Sequence, residues 1–280
     1  MGTAAPARRG APGRPQAEPG AIHQGDCLDV MASIPDASIG TVVTSPPYNI
    51  KNSTGNGLRG GRGSGKWPNA ALQDGYAEHG DAMPHGEYVR WQRECLREMM
   101  RALREDGAIF YNHKWRVQDG LMQGREEIVR GLPVRQIIIW QREGGINFNP
   151  GYFLPTYEVI YLIAKPEFRL VPRANRIGDV WRLPQERNNA HPAPFPVQLA
   201  KNCIASTDNG IVMDPFLGSG TTAVAARLLG RSWIGIEKSP EYCELARRRI
   251  EGASTIDRGE PGAVRVVPWG PRRAPGARGP

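Results

Sequence analysis

The segment Ile211-Val212-Met213-Asp214-Pro215-Phe216-Leu217-Gly218-Ser219-Gly220-Thr221-Thr222 constrains the fold of this chain more than any other. A short apolar strand, from Gly210 to Met213, enters a glycine-rich turn, and the turn opens a helix that runs from Thr221 to Leu229 with Ala and Leu on its packing face. A strand, a tight turn and a helix N-terminus in that order belong to an open α/β sheet, which holds ligands at the carboxyl ends of its strands. No Gly-Lys-Ser/Thr follows the glycines, so this is not a Walker loop, and the spacing is not Gly-x-Gly-x-x-Gly.

The neighbours of that turn narrow the ligand. Asp214, at the strand end, would repel a pyrophosphate but could pair with the ammonium of an amino-acid-bearing cofactor. The next strand, Ser232 to Ile236, ends on Glu237, where a carboxylate can accept from both hydroxyls of a ribose. An ammonium-pairing acid and a ribose-pairing acid together describe S-adenosylmethionine.

From about residue 20 the chain alternates apolar strand-like runs with amphipathic helical runs, the pattern of a mostly parallel sheet covered by helices. Ile39 to Thr44 is expected as a buried strand. Glu87 to Leu103 places Tyr88, Trp91, Cys95, Met99 and Leu103 at helical spacing, and Ala108 to Tyr111 follows as a strand after an Asp106-Gly107 turn. Ile137 to Trp140 and Val159 to Ile163 are further strands, Val197 to Ile204 a helix, and Pro240 to Ile250 the last helix. Residues 51–85 interrupt this rhythm with a glycine-rich excursion carrying Lys51, Arg59, Arg62 and Lys66, a long loop of the kind that is usually functional or disordered.

The first strand ends in Ser45-Pro46-Pro47-Tyr48. Two prolines forbid a helix and remove two backbone donors, so the chain is held in a stiff extended turn. The Ser45 hydroxyl and the Pro46 carbonyl are then acceptors beside the Tyr48 ring. Acceptors next to a π-face suit a flat ring bearing an exocyclic amino group, as in cytosine or adenine.

The formal charge of +8 favours a polyanionic partner, although part of it lies in the termini. Residues 1–20 and 252–280 are rich in Pro, Gly, Ala and Arg without apolar periodicity and read as disordered basic tails; Trp269 has no explanation there. No signal-peptide-like or membrane-length apolar run occurs, so the protein is expected to be soluble and intracellular. Cys27, Cys95, Cys203 and Cys243 are far apart and form no Cys-x-x-Cys, which suggests neither a zinc site nor a disulfide framework.

Ser45 to Tyr48, followed much later by Asp214 to Thr222, resembles the catalytic and cofactor motifs of the DNA amino-methyltransferases. The order, catalytic before cofactor, is similar to that of the β group of the family, a circularly permuted arrangement. The resemblance implies a Rossmann-like methyltransferase domain over residues 21–251. It also implies that Gly25-Asp26-Cys27 lies at the adenine pocket of the cofactor, and that His191 to Pro196, including Phe195, packs beside its methionine end. The implied cofactor residues are Asp26, Cys27, His191, Phe195, Pro196, Asp214, Phe216, Gly218, Ser219, Gly220, Thr221, Thr222 and Glu237. The implied catalytic residues are Ser45, Pro46, Pro47 and Tyr48.

The resemblance implies duplex DNA as substrate and rotation of the target base into a pocket, with Tyr48 as stacking platform. Two acceptors on the amino hydrogens would favour a pyramidal nitrogen for direct transfer, with neither metal nor covalent enzyme intermediate. Ser at the first turn position is associated in the family with cytosine N4, and Asp with adenine N6. Cytosine N4 is therefore expected and adenine N6 is the alternative; an RNA amino-methyltransferase and an inactive DNA-binding homologue stand further off. Sequence recognition is expected in residues 165–190, with Arg173, Arg176, Arg182 and Arg187, shared with Lys51, Arg59, Arg62 and Lys66 of the glycine-rich loop. His113 and Lys114 could approach DNA or simply occupy an exposed loop. A homodimer and a cognate restriction endonuclease are possible partners.

Overall fold

The computed structural model describes residues 17–49, 83–118, 121–142, 150–186, 195–208 and 210–253. Lys51, Arg59, Arg62, Lys66, Arg187, His191 and most of both expected tails lie outside these residues. In chain order the elements are β1 (Ala21–Gln24), α1 (Cys27–Met31), β2 (Ile39–Thr44), α2 (His85–Ala102), β3 (Leu103–His113), β4 (Arg116–Gln118), β5 (Leu121–Gln123) and α3 (Glu126–Val129). They continue with β6 (Val134–Gln141), β7 (Tyr157–Ala164), a single 3-10 turn (Ala174–Arg176), β8 (Val180–Arg182), α4 (Val197–Ala205), β9 (Ile211–Asp214), α5 (Thr221–Leu228), β10 (Trp233–Glu237) and α6 (Pro240–Gly252).

Eight strands form one sheet in the order β1-β10-β9-β2-β3-β7-β6-β8, and β4 pairs with β5 apart from it. All pairings in the sheet are parallel except those of β7, which runs against both β3 and β6. The sheet is therefore mostly parallel, as expected. Its strands are apolar on both faces because both faces are covered. Val43, Phe110 and Leu162 face a core built with α4 and α5, while Val42, Ile109, Tyr111 and Ile163 face one built with α1 and α2. The helix α2 buries Tyr88, Gln92, Cys95, Leu96, Met99 and Ala102, one stripe at helical spacing.

Three boundaries differ from expectation. The strand expected at Ala108 starts at Leu103, because Asp106-Gly107 is not a separate turn: the pairing of β2 jumps from Ile39↔Leu103 to Thr41↔Ala108, and the intervening residues bulge out of register. At the N-terminus, Ala17 is buried and the Gly20 amide donates to the Trp233 carbonyl at 2.6 Å, so the last residues of the supposed tail are packed. The segment from 165 is also largely part of the domain. Phe168 and Trp181 sit in the core, and β8 extends the sheet beside β6.

Gly218 and Gly220 of the turn before α5 both have positive φ, and Gly220 is packed against α6. Gly220 has φ +86°, and a Cβ there would lie 2.9 Å from Ala246 Cβ on α6. Gly220→Ala combines left-handed backbone strain with a steric overlap, and is expected to cost about 2 kcal/mol or more. Calorimetry should read this as a fall in Tm of about 5 °C.

Candidate active site

The parallel strands deliver their carboxyl ends to one edge of the sheet. Along that edge stand Asp26 beyond β1, Glu237 of β10, Asp214 of β9, Ser45 beyond β2, Asn112 and His113 of β3, and Glu158 at the start of the reversed strand β7. Neighbouring strands are about 4.8 Å apart, so the stretch from Asp26 to Asp214 spans about 10 Å, the scale of a nucleoside, and Ser45, Asn112, His113 and Glu158 lie beyond it.

Asp214 is 2% exposed. Its Oδ1 accepts from the Thr44 hydroxyl at 2.7 Å and the Phe216 amide at 3.1 Å, and its Oδ2 lies 2.7 Å from the Thr222 hydroxyl. The Thr222 oxygen is also 3.1 Å from the Val43 carbonyl, so a single hydroxyl proton stands between two acceptors. Burial raises the Asp214 pKa to about 6, against the lowering by Thr222, Thr44 and the Phe216 amide. Glu237 accepts from the amides of Lys238 and Ser239 on Oε1 and of Gly218 on Oε2. Burial raises its pKa too, again opposed by those amides. A carboxylate offers about four acceptor positions, so Asp214 Oδ2 and Glu237 Oε2 each keep one beyond these bonds. Two acids with acceptor capacity, one buried and one half-buried, on either side of a left-handed glycine turn fit a ligand with an ammonium at one end and a diol at the other.

The other expected cofactor positions divide. Asp26 caps α1 through the Leu28 amide, and the Gly25 amide beside it donates to the Glu237 carbonyl, which puts this loop at the Glu237 end. Phe216 meets Trp91 edge-on with centroids 5.6 Å apart. Phe195 and Pro196 are buried at the entry to α4. By contrast, the Cys27 thiol turns into the core, 3.8 Å from Cys95 Sγ. Ser219 and Thr221 turn towards α6, where Arg249 Nη1 donates to the Ser219 carbonyl and hydroxyl at 2.7 Å and to the Thr221 hydroxyl at 3.3 Å; Glu186 in turn holds Arg249. Their side chains brace the turn rather than face a ligand.

On the other side of Asp214, the Ser45 to Tyr48 turn is fixed from behind. The Tyr88 hydroxyl donates to the Pro47 carbonyl at 2.7 Å, and Arg125 Nη2 donates to the Tyr48 carbonyl at 2.8 Å. His113 Nδ1 accepts from the Lys114 amide at 2.8 Å, which leaves Nε2–H to donate to Tyr88 at 2.6 Å. Burial, and then the charge of Arg125, lower the His113 pKa well below its ordinary value, so the ring stays neutral. Gln92 and Tyr111 extend the same network into the core. The two ends of the excursion that follows are tied together, since Asn49 Nδ2 donates to the Met83 carbonyl at 2.9 Å.

Tyr48 corrects one expectation. Its ring is 4% exposed and stacks on His113, with centroids 4.8 Å apart and an interplanar angle of 23°. One face is therefore covered by protein, and the hydroxyl points inward, 2.7 Å from Ser45 Oγ and 2.9 Å from Glu158 Oε2. Asn112 Nδ2 lies 2.7 Å from the Tyr48 oxygen, 3.0 Å from Glu158 and 3.3 Å from Ser45 Oγ. The ring is folded back because all these partners lie behind the turn.

His113 is likewise no exposed loop residue: it is 1% exposed, at the end of β3. Arg182 is exposed at the carboxyl end of β8, bonded to Gln141. Arg173, however, precedes and Arg176 ends the 3-10 turn that follows the bond from the Val171 amide to the Ser206 carbonyl. Ser206 caps the far end of α4, by the amino ends of the strands. The fold does not bring these two arginines to Ser45. Sequence reasoning missed Asn112, Arg125, Arg142 and Glu158. The signal for two of them was present as Asn112 and Glu158, polar residues at the ends of otherwise apolar strands.

Comparison with known proteins identifies the family. The DNA methylase family model, covering N6 and N4 enzymes, matches residues 39–248. The type II methyltransferase M.BglII of Bacillus subtilis is 27% identical over 276 residues, covering 82% of this chain and 69% of its own length. The solved structure of the PvuII DNA methyltransferase (cytosine-N4-specific) superposes with TM-score 0.66 at 19% identity, covering 87% of this chain and 88% of its own. The M1.HpyAVI–SAM complex superposes with TM-score 0.53 at 18% identity, covering 81% and 98%. With three quarters of its length matched by the family model, this chain belongs to the N6/N4 DNA methylase family and is a methyltransferase that uses S-adenosyl-L-methionine.

Proposed function

We propose that this enzyme methylates the exocyclic N4 of cytosine in duplex DNA, with Ser45 and Pro46 as the two acceptors of the amino hydrogens. S-adenosyl-L-methionine, when bound, supplies the electrophilic methyl group. In this reading Asp214 holds the ammonium of the cofactor and Glu237 its ribose, with Asp26 beside the adenine. The target cytosine leaves the duplex, because a paired amino group already donates a Watson-Crick bond and its nitrogen is out of reach. Lys51, Arg59, Arg62, Lys66, Arg182 and Arg187 contact DNA, and Arg173 and Arg176 take no part. A cognate endonuclease acting on the same site would fit a restriction-modification pair.

The observation that carries the base assignment is the neutral hydroxyl of Ser45 at the first position of the turn, held 2.7 Å from Tyr48. The amino nitrogen is a poor nucleophile while its lone pair is conjugated with the ring. Two fixed acceptors favour its pyramidal form and contribute by preorganisation, the usual source of such rate gains. Expression in a methylation-free host, followed by nucleoside mass spectrometry, is expected to yield N4-methylcytosine. N6-methyladenine without N4-methylcytosine would overturn the assignment. Ser45→Ala is expected to lower the transfer rate about a hundredfold with little change in cofactor affinity, the size of effect seen when one preorganised hydrogen-bond partner is removed.

A further inference from the structure

We infer that Ser45, Tyr48 and Glu158 form a one-way proton chain. In it Glu158 sets the Ser45 hydroxyl as an acceptor of the substrate's amino hydrogen and takes up the proton released on methyl transfer. This rests on the reading that Ser45 faces the amino group, but not on which base carries it.

The direction follows from the partners. Glu158 is 6% exposed, and its Oε1 lies 3.5 Å from Arg142 Nη1. A carboxylate in such a pair only accepts, so the Tyr48 hydroxyl must donate to Oε2, at 2.9 Å. The Tyr48 proton is then committed, and the 2.7 Å contact between Ser45 and Tyr48 must run from the Ser45 hydroxyl to the Tyr48 oxygen. Asn112 Nδ2, at 2.7 Å, fills the second acceptor position of that oxygen. Ser45 consequently keeps its own proton pointed inward. Its lone pairs meet only the longer 3.3 Å approach of Asn112, and acceptor capacity is left for an incoming amino group.

The same chain disposes of the product proton. As the bond from the amino nitrogen to the methyl carbon forms, the bond from that carbon to sulfur breaks and its electron pair stays on sulfur. The nitrogen gains positive charge and must lose one proton. That proton passes to Ser45 Oγ, the Ser45 hydroxyl proton to the Tyr48 oxygen, and the Tyr48 proton to Glu158 Oε2. Both hydroxyls are restored, and one proton rests on Glu158 beside Arg142. Tyr48 is thus a proton conductor clamped on His113, which accounts for a ring buried with its hydroxyl turned inward.

The test is a mutant cycle with Tyr48→Phe and Glu158→Gln, using labelled S-adenosylmethionine and genomic DNA from a host without methyltransferases. Single-turnover rates are measured at saturating cofactor with enzyme in excess, together with the Kd for cofactor and for DNA. Each single variant is expected to slow transfer by more than about tenfold while both Kd values stay within about threefold, as for loss of proton transfer alone. The double variant is expected to be no slower than the slower single one, since the two groups act in series. A loss below about tenfold in either folded variant, or losses that multiply in the double variant, would overturn the chain. If Glu158→Gln fails to fold, Tyr48→Phe, which leaves every charge in place, decides by the same tenfold criterion. Identifying the methylated nucleoside in the same digests tests the cytosine assignment separately: methyladenine sinks that assignment and leaves the rates to judge the chain.

Discussion

Arg125→Ala is expected to abolish measurable methyl transfer and to destabilise the domain by about 3 kcal/mol, because it leaves one buried and one partly buried carbonyl without this donor and opens a cavity. Arg125 is 2% exposed. Its Nη2 bonds the Tyr48 carbonyl at 2.8 Å, its Nε bonds the Lys114 carbonyl at 3.1 Å, and its guanidinium lies 5.2 Å from the centre of the Tyr88 ring. One side chain therefore ties the catalytic turn to the end of β3 and to α2. A second substitution separates the two effects. Arg125→Met fills much of the volume and removes a buried charge, so its stability loss is expected to be smaller, while the Tyr48 carbonyl still loses its tether. Thermal melting beside transfer assays should find Arg125→Met folded and still impaired by tenfold or more, on the scale of misplacing a reacting group. An active Arg125→Met would show that the tether serves stability alone.

Asp214→Asn is expected to weaken S-adenosylmethionine binding about a hundredfold, the scale for removing one partner of a buried charge pair. In the wild type the same group makes binding depend on pH. The pKa of Asp214 is raised to about 6, well above the ordinary carboxylate range, chiefly by burial. The folded state therefore binds the extra proton, so this group's stabilising share is fully present below about pH 4. It is lost as pH rises through about 6, an effect of about 3 kcal/mol. An ammonium pairs only with the ionised form. Cofactor Kd, measured calorimetrically, should be flat above about pH 6.5 and rise about tenfold per unit below 6, and in Asp214→Asn this dependence should vanish. A wild-type Kd unchanged down to pH 5 would remove Asp214 from the ammonium site.

The parts of the fold legible in the sequence were those written in local terms. Apolar runs bounded by turn residues located β2, β6, β7, β9 and β10, and the glycine turn located the start of α5. The glycine turn, Asp214 and Glu237 also announced themselves, because each closes or follows such a run. What escaped was set by tertiary contacts. The short strands β1 and β8 gain their pairing only from neighbours distant in sequence, and nothing local marks them. The bulge that extends β3 back to Leu103 required knowledge of its register with β2. At the site, Tyr48 read as an open aromatic face because its partners, His113, Asn112 and Glu158, come from two other strands. Arg173 and Arg176 read as recognition residues from composition, which carries no information about which end of a sheet they occupy.

The hydrogen bond between Thr44 and Asp214 joins residues 170 apart in the chain. It lies in the middle of the sheet, where β2 pairs with β9. During synthesis β2 and its proline turn emerge long before β9 does, and one edge of β2 stays unpaired until then. An exposed apolar strand edge can pair with another chain, and closing so long a loop slows folding. Since the catalytic turn and the cofactor turn meet at this seam, the two halves of the site come together only once β9 has joined β2.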